Sequence, residues 1–235
     1  MTDRPILFSG PMVRALLDGR KTQTRRIMKP QPRANDRLRK RLDSRDFTAF
    51  RRHEPPIENW RCPYGGPGDR LWVKETHLGG SPGVANIIYR ADGEVPGVRW
   101  RPSIHMPRRA SRVTLAITDV RVERLQDISE ADAIAEGLYR SIPDERDRDW
   151  FAAYTEEQTG SPPTPGEWKT FNAGVWMVPG VPQGWGLTPS ERRRDTWGPT
   201  PQFCYRLLWE HINGPGSWGA NPWVWAVTFE VERPS

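Results

Sequence analysis

Two stretches alternate so regularly that they commit the chain to a half-buried sheet. Over residues 112–122, Val113, Leu115 and Ile117 alternate with Thr114, Ala116 and Thr118. Over residues 223–231, Trp223, Trp225, Val227, Phe229 and Val231 fall on every second position. Successive side chains of an extended chain point to opposite faces, so this period predicts two long strands with one face in a core. A shorter segment follows the turn at Gly68-Asp69: Leu71, Val73 and Glu75 share one face, Trp72 and Lys74 the other. A carboxylate thus ends an apolar inward face, and Glu75 either points into a pocket or, as a strand-end residue, turns to solvent. Residues 5–8 and 86–90 read as further short strands.

Helical signals lie between the strands. Met12, Val13, Ala15 and Leu16 have helical spacing, Pro11 sits at a tolerated first-turn position, and Gly19 follows as a C-terminal stop. At residues 129–137, Ser129 is a suitable N-cap, Asp132 stands three residues on, and Gly137 ends the segment. Glu136 then falls in the last turn, where the helix dipole favours a cation; the cost is small enough for chance to explain it, and so would a cationic neighbour such as Lys21. Residues 203–212 read as another helix. Short helices interspersed with strands give an α+β fold.

Two loop-rich insertions interrupt this pattern, at about residues 29–68 and 141–201. The first is rich in proline and carries a basic run at 33–52, within which residues 37–42 read as one or two basic helical turns. The second contains Trp150, Trp168, Trp176, Trp185 and Trp197. A stretch so rich in tryptophan is expected to pack rather than remain disordered. Residues 99–107 combine Arg99, Trp100, Arg101 and His105, which suits a loop facing a nucleobase or phosphate and equally suits a sheet edge closed by prolines.

A net charge of +6 and a pI near 9.7 favour anionic partners, nucleic acid through the 33–52 run among them, although charge of this size also serves solubility alone. Cys62 and Cys204 are far apart in the chain, and the four histidines show no metal-ligand spacing, so neither a disulfide framework, a metal nor a cofactor is expected. No apolar run approaches the ~20 residues of a membrane span, and a cytoplasmic setting is the expectation.

The chemistry-bearing residues concentrate at residues 18–26, where a helix stop, a turn and an extended run present Lys21, Thr24, Arg25 and Arg26 from a defined backbone. The pattern Gly19-x-Lys21-x-x-Thr24-x-Arg26 resembles the G-x-K-x-x-[E/T]-x-R signature of the ASCH-domain superfamily. The opening from Arg4 to Pro32 is similar to phage and prophage members of that group. Gly68-Asp69-x-Leu71-x-Val73 and the run Leu125, Ile128, Ser129, Glu130, Ala133, Glu136 extend the resemblance, which covers roughly the first 30 residues, 68–138 and 202–232.

The resemblance implies a single domain over residues 1–235, built as a small PUA-like β-barrel with flanking helices. It also implies a link to RNA and modified nucleosides. Threonine at the sixth motif position is similar to a bacterial branch that hydrolyses N4-acetylcytidine to cytidine and acetate. On that resemblance Lys21, Thr24 and Glu136 are the catalytic residues; Arg25, Arg26, Trp72 and Glu75 are the expected substrate contacts. Lys21 can serve as a base toward Thr24 when neutral, or as a charged donor if it pairs with Glu136. Lys21 and Thr24 have opposite parity on a regular strand, so their cooperation requires Lys21 to lie in the turn after Gly19 or a bulge between them. A non-catalytic nucleic-acid-binding module and an ASCH-type ribonuclease are the competing readings.

Overall fold

The computed structural model describes residues 1–32, 37–40, 46–50, 59–79, 86–141, 145–172, 175–179, 197–198 and 200–232. They group into two compact units, one of Met1–Asp127, Ala135–Gly137 and Asn221–Ser235, the other of Ile128–Ile134 and Leu138–Ala220.

The first unit contains β1 (Asp3–Leu7), α1 (Gly10–Leu17), β2 (Gln23–Ile27), β3 (Arg37–Lys40), β4 (Asp46–Phe50), β5 (Asn59–Arg61), β6 (Arg70–Lys74), β7 (His77–Leu78), β8 (Ile88–Tyr89) and β9 (Thr114–Arg124). The chain continues through α2 (Glu130–Ala135), β10 (Tyr139–Ser141), α3 (Glu145–Thr159), α4 (Pro165–Asn172), β11 (Val175–Met177), β12 (Trp197–Gly198) and α5 (Pro201–Asn213). It returns to the first unit as β13 (Trp223–Glu232).

The two strands with the clearest alternation, β9 and β13, are antiparallel neighbours in the middle of a five-stranded mixed sheet of order β1-β6-β9-β13-β2. Leu71, Val73, Leu115, Ile117, Val120, Val227 and Phe229 are buried from it. Along β13 the run Val224, Trp225, Ala226 and Val227 is buried without a break, so the middle of this strand is covered on both faces. α1 buries Met12, Val13, Ala15 and Leu16, and it ends at Gly19 with φ +72°, the left-handed conformation that glycine adopts without steric penalty.

The expected barrel is not closed by a backbone ladder among the described residues: β1 and β2 are the two edges. They are nevertheless tied together, because Arg26 Nη2 on β2 donates to the Leu7 carbonyl on β1 at 2.8 Å. Edge strands of a flat five-stranded sheet would stand about 19 Å apart, four spacings of 4.7–4.9 Å. A side chain cannot span that distance, so the sheet is curled, and a guanidinium takes the place of the missing ladder.

A second correction concerns residues 37–42. Arg37–Lys40 is extended and pairs antiparallel with Asp46–Phe50. A basic run this short cannot offset helix nucleation, whereas the hairpin ladder satisfies its backbone at once. The rest of the 33–52 run, and Trp185 of the second insertion, lie outside the described residues.

In the second unit β10, β11 and β12 form a three-stranded antiparallel sheet. Thr200 caps α5 by accepting from Phe203 N at 3.2 Å, and Pro201 opens the helix. Cys204, Tyr205, Leu207, Leu208 and Trp209 are its buried face. The second insertion thus holds packed aromatics, Phe151 against Trp168 edge-on at 5.4 Å among them. No helix among the described residues is long and apolar enough to cross a membrane.

Each unit contains one buried thiol. Burial pushes Cys62 up to about 11 and Cys204 up to about 12. Neither sulfur forms thiolate readily at neutral pH. Iodoacetamide at pH 8 is therefore expected to leave both unmodified in the folded protein and to label both in denaturant, with peptide mass spectrometry reporting the two units separately.

Candidate functional site

The turn after α1 sets Lys21 apart from the strand that follows. Both Arg20 N and Lys21 N donate to the Ala15 carbonyl at 2.9 Å, so the chain is still folded back on the helix at this point. Lys21 then makes an isolated antiparallel bridge with Glu136, and Thr22 N donates to the Ala135 carbonyl at 2.9 Å. The Thr22 carbonyl accepts from Phe229 N at 2.9 Å, and from Gln23 onward β2 runs along β13. Lys21 is therefore a bridge residue just ahead of β2, on the carboxylate that Arg25 also holds, whereas Thr24 lies on the other face of β2.

Glu136 reaches this position from the far end of α2. Ser129 Oγ accepts from Asp132 N at 3.1 Å, the expected N-cap, but the helix stops at Ala135 and Glu136 is already extended. Its proximity to a helix end is thus less telling than its bridge to Lys21. Gly137 next to it has φ +105°, and a Cβ there would stand 3.1 Å from Ala15 Cβ and 3.2 Å from Lys21 Cβ. The absent side chain is what lets this segment press against α1 and the turn.

The charges form one continuous buried network. Lys21 Nζ donates to Glu136 Oε2 at 2.7 Å and to the Glu136 carbonyl at 2.8 Å. Arg25 Nη1 holds the other carboxylate oxygen at 3.2 Å. Arg25 also binds Glu123 Oε1 through Nη2 at 2.7 Å and donates through Nη1 to Gln23 Oε1 at 2.6 Å. Charge thus alternates in the order Lys21, Glu136, Arg25, Glu123, and Arg121 approaches Glu123 at 3.9 Å. Burial is the largest influence on Lys21 and pulls its ammonium below the ordinary lysine value; Glu136 opposes this, while Arg26 and Arg25 reinforce it.

Thr24 is buried opposite Val227. By alternation it shares a face of β2 with Arg26, while Gln23 and Arg25 share the other. Phe8 links that face to Lys21: its ring centroid is 5.5 Å from Lys21 Nζ and 5.3 Å from the Arg26 guanidinium carbon. The structure therefore brings Lys21, Glu136, Arg25 and Arg26 around one end of β2.

Glu75 and Trp72 are engaged elsewhere in the first unit. Of the two orientations open to Glu75 the structure shows the inward one, at 1% exposure, and Arg112 occupies both its oxygens, Nε at 2.9 Å and Nη2 at 3.1 Å. Arg112 also forks onto Asp92 and lies 4.0 Å over the Tyr89 ring. Burial raises the Glu75 carboxyl, and Arg112 counters it. Trp72 is half-buried with Lys74 Nζ at 5.5 Å and the Arg108 guanidinium carbon at 5.9 Å from its ring.

Sequence reasoning did not find Glu123 and Gln23, whose carboxylate and amide orient Arg25. Glu123 sits on the alternating strand β9 two residues from Arg121, where it reads as an exposed charge, and only the register with β13 and β2 turns it toward Arg25. Among the described residues no group of three His, Cys, Asp or Glu could hold a metal ion. No protein-family model, curated protein or solved structure matches the chain.

The charge network makes a pH prediction. In a 13Cε NMR titration, Lys21 is expected to titrate below the ordinary value of 10.5, and Glu136→Gln, which removes the opposing charge, to lower it further. Between the lowered value and 10.5 the unfolded chain binds the extra proton, so Lys21 makes unfolding free energy rise with pH in that window.

Proposed function

We propose that Lys21, Thr24 and Glu136 are the catalytic residues of an amidohydrolase that cleaves the N4-acyl amide of a cytosine nucleoside, releasing cytidine and a carboxylate. The observation that carries this reading is the buried contact of 2.7 Å between Lys21 and Glu136, 115 residues apart in the chain. The substrate class rests on that resemblance. The same reading takes the curled sheet of the first unit as a PUA-like barrel left open between β1 and β2.

The proton bookkeeping closes on these three residues. Lys21 passes a proton to Glu136, and the neutral amine takes the proton of Thr24 Oγ1 as that oxygen attacks the acyl carbon. The oxyanion that forms is stabilised by the Lys21 ammonium just generated. Collapse breaks the bond from carbon to N4, and the protonated Glu136 gives its proton to the departing amine. Water then attacks the acyl-threonine, its proton passes to Glu136, and Lys21 returns a proton to Thr24 Oγ1 as the carboxylic acid leaves. Transfer from Glu136 back to Lys21 restores the starting state.

Arg25 orients Glu136 from its other oxygen, and Arg26 stands on the face of Thr24 as a contact for the substrate's oxygens. Lys21, Thr24 and Glu136 are each 3% exposed or less, so substrate entry requires covering side chains such as Phe8 to shift. A water-poor surrounding in turn strengthens each electrostatic contact during the reaction.

Incubation with N4-acetylcytidine and chromatographic detection of cytidine is expected to show turnover. Lys21→Ala, Thr24→Ala and Glu136→Ala are each expected to lower kcat by about 10²–10⁴-fold, with circular dichroism confirming that each variant folds. Unchanged turnover in all three variants would refute the assignment.

A further inference from the structure

The amide chemistry above makes no use of the basic and aromatic loop at residues 99–105. In the structure Arg99, Trp100, Arg101 and His105 line a cleft of about 840 Å³ together with Asn86 and Ile88. This volume lies within the range of small-molecule and nucleotide pockets.

The loop is held by its backbone. Arg101 N donates to the His77 carbonyl at 2.9 Å, and His77 N to the Arg101 carbonyl at 3.2 Å, which pins the segment to β7. Residues 103–105 form a 3-10 turn, and the buried Met106 after it accepts from Glu75 N through Sδ at 3.2 Å. The Lys74 ammonium donates to the Ile104 carbonyl. These ties fix the main chain, so the side chains at the cleft project from a preorganised frame.

The charge of this segment is one-sided. Between Glu94 and Asp119 the chain has no acidic residue, whereas Arg99, Arg101, Arg108, Arg109 and Arg112 fall within it. Arg112 is held by Glu75 and Asp92, and Arg108 reaches Asp3 at 3.3 Å. Arg99, Arg101 and His105 are exposed at the cleft, beside the half-buried Trp100 and an Ile88 that is 44% exposed. A ligand that suits this lining carries a flat apolar ring and a negative charge in each unit.

We propose that this cleft binds single-stranded polynucleotide, with an unstacked base against Trp100 and Ile88 and the flanking phosphates at Arg99 and Arg101. Stacking on an aromatic side chain combined with a positively charged track is the physical basis of single-strand binding, and a base paired in a duplex does not offer its ring face. An acidic peptide would satisfy the arginines but leave the Trp100 surface unmatched. The inference does not rest on the amidohydrolase reading.

The test is fluorescence anisotropy with a labelled, unmodified pyrimidine oligonucleotide of about 12 nucleotides, titrated at several salt concentrations. It carries no acyl group, so the result is independent of turnover. Wild type is expected to bind with an affinity that falls as salt rises. Trp100→Ala is expected to weaken binding about 10-fold. The double variant Arg99→Ala/Arg101→Ala is expected to weaken binding and to reduce the salt slope by about 1–2. Arg206→Ala, an exposed arginine on α5, serves as the charge-matched control and is expected to bind as wild type does. Absence of binding by wild type, equal affinity of all variants, or binding confined to the duplex or to cytidine monophosphate would overturn the proposal.

Discussion

Glu136 places a carboxylate that is 3% exposed between Lys21 Nζ at 2.7 Å and Arg25 Nη1 at 3.2 Å, and the first unit is arranged to make that placement hold. Taking such charges out of water costs several kcal/mol per ion, and only close pairing in good geometry offsets it. Here the offset comes from a chain of four charges ended by Glu123, with Gln23 and the Glu136 carbonyl accepting further donors. If Glu136 were absent, Lys21 would remain as a buried charge without its carboxylate, whereas Arg25 would keep Glu123. The network thus joins the turn, β2 and the segment after α2 in one register.

That register has consequences for chemistry. Glu136 is held to Lys21 at 2.7 Å, and burial favours the neutral amine that the proposed role of Lys21 as a base calls for. Arg26 has a double position: it closes the curled sheet by donating to the Leu7 carbonyl, and it stands beside Thr24 over the Phe8 ring. The edge of the sheet and the candidate site are thus one place. An edge left without a backbone ladder is a location where a side chain can be aimed without disturbing the core.

Much of this arrangement was legible in the residues, for identifiable reasons. The alternation at Val113, Leu115 and Ile117 and at Val227 and Phe229 reflects burial of one sheet face, a local cause with a local signature, and β9 and β13 lie where it puts them. The stop at Gly19 follows from its positive φ. The alternation allowed an inward Glu75 without deciding it against solvent, and its partner left no sign, since Arg112 lies 37 residues away and only the packing brings them together. Glu123 was invisible for the same reason. The strand at Arg37–Lys40 was misread because four residues with mixed Arg and Leu carry no period that separates helix from strand, and its pairing to Asp46–Phe50 decides the matter. The open edge between β1 and β2 depends on long-range curvature, which leaves no mark in the residues of either strand.

The central claim is that Lys21 and Glu136, 115 positions apart, act as one buried pair. A double-mutant cycle of Lys21→Met, Glu136→Gln and both together, read by chemical denaturation, tests it most directly. The account predicts that each single change destabilises the protein by about 3–5 kcal/mol. The double variant should cost less than their sum, with a coupling of about 1–3 kcal/mol. Additive single effects, or singles near zero, would contradict it.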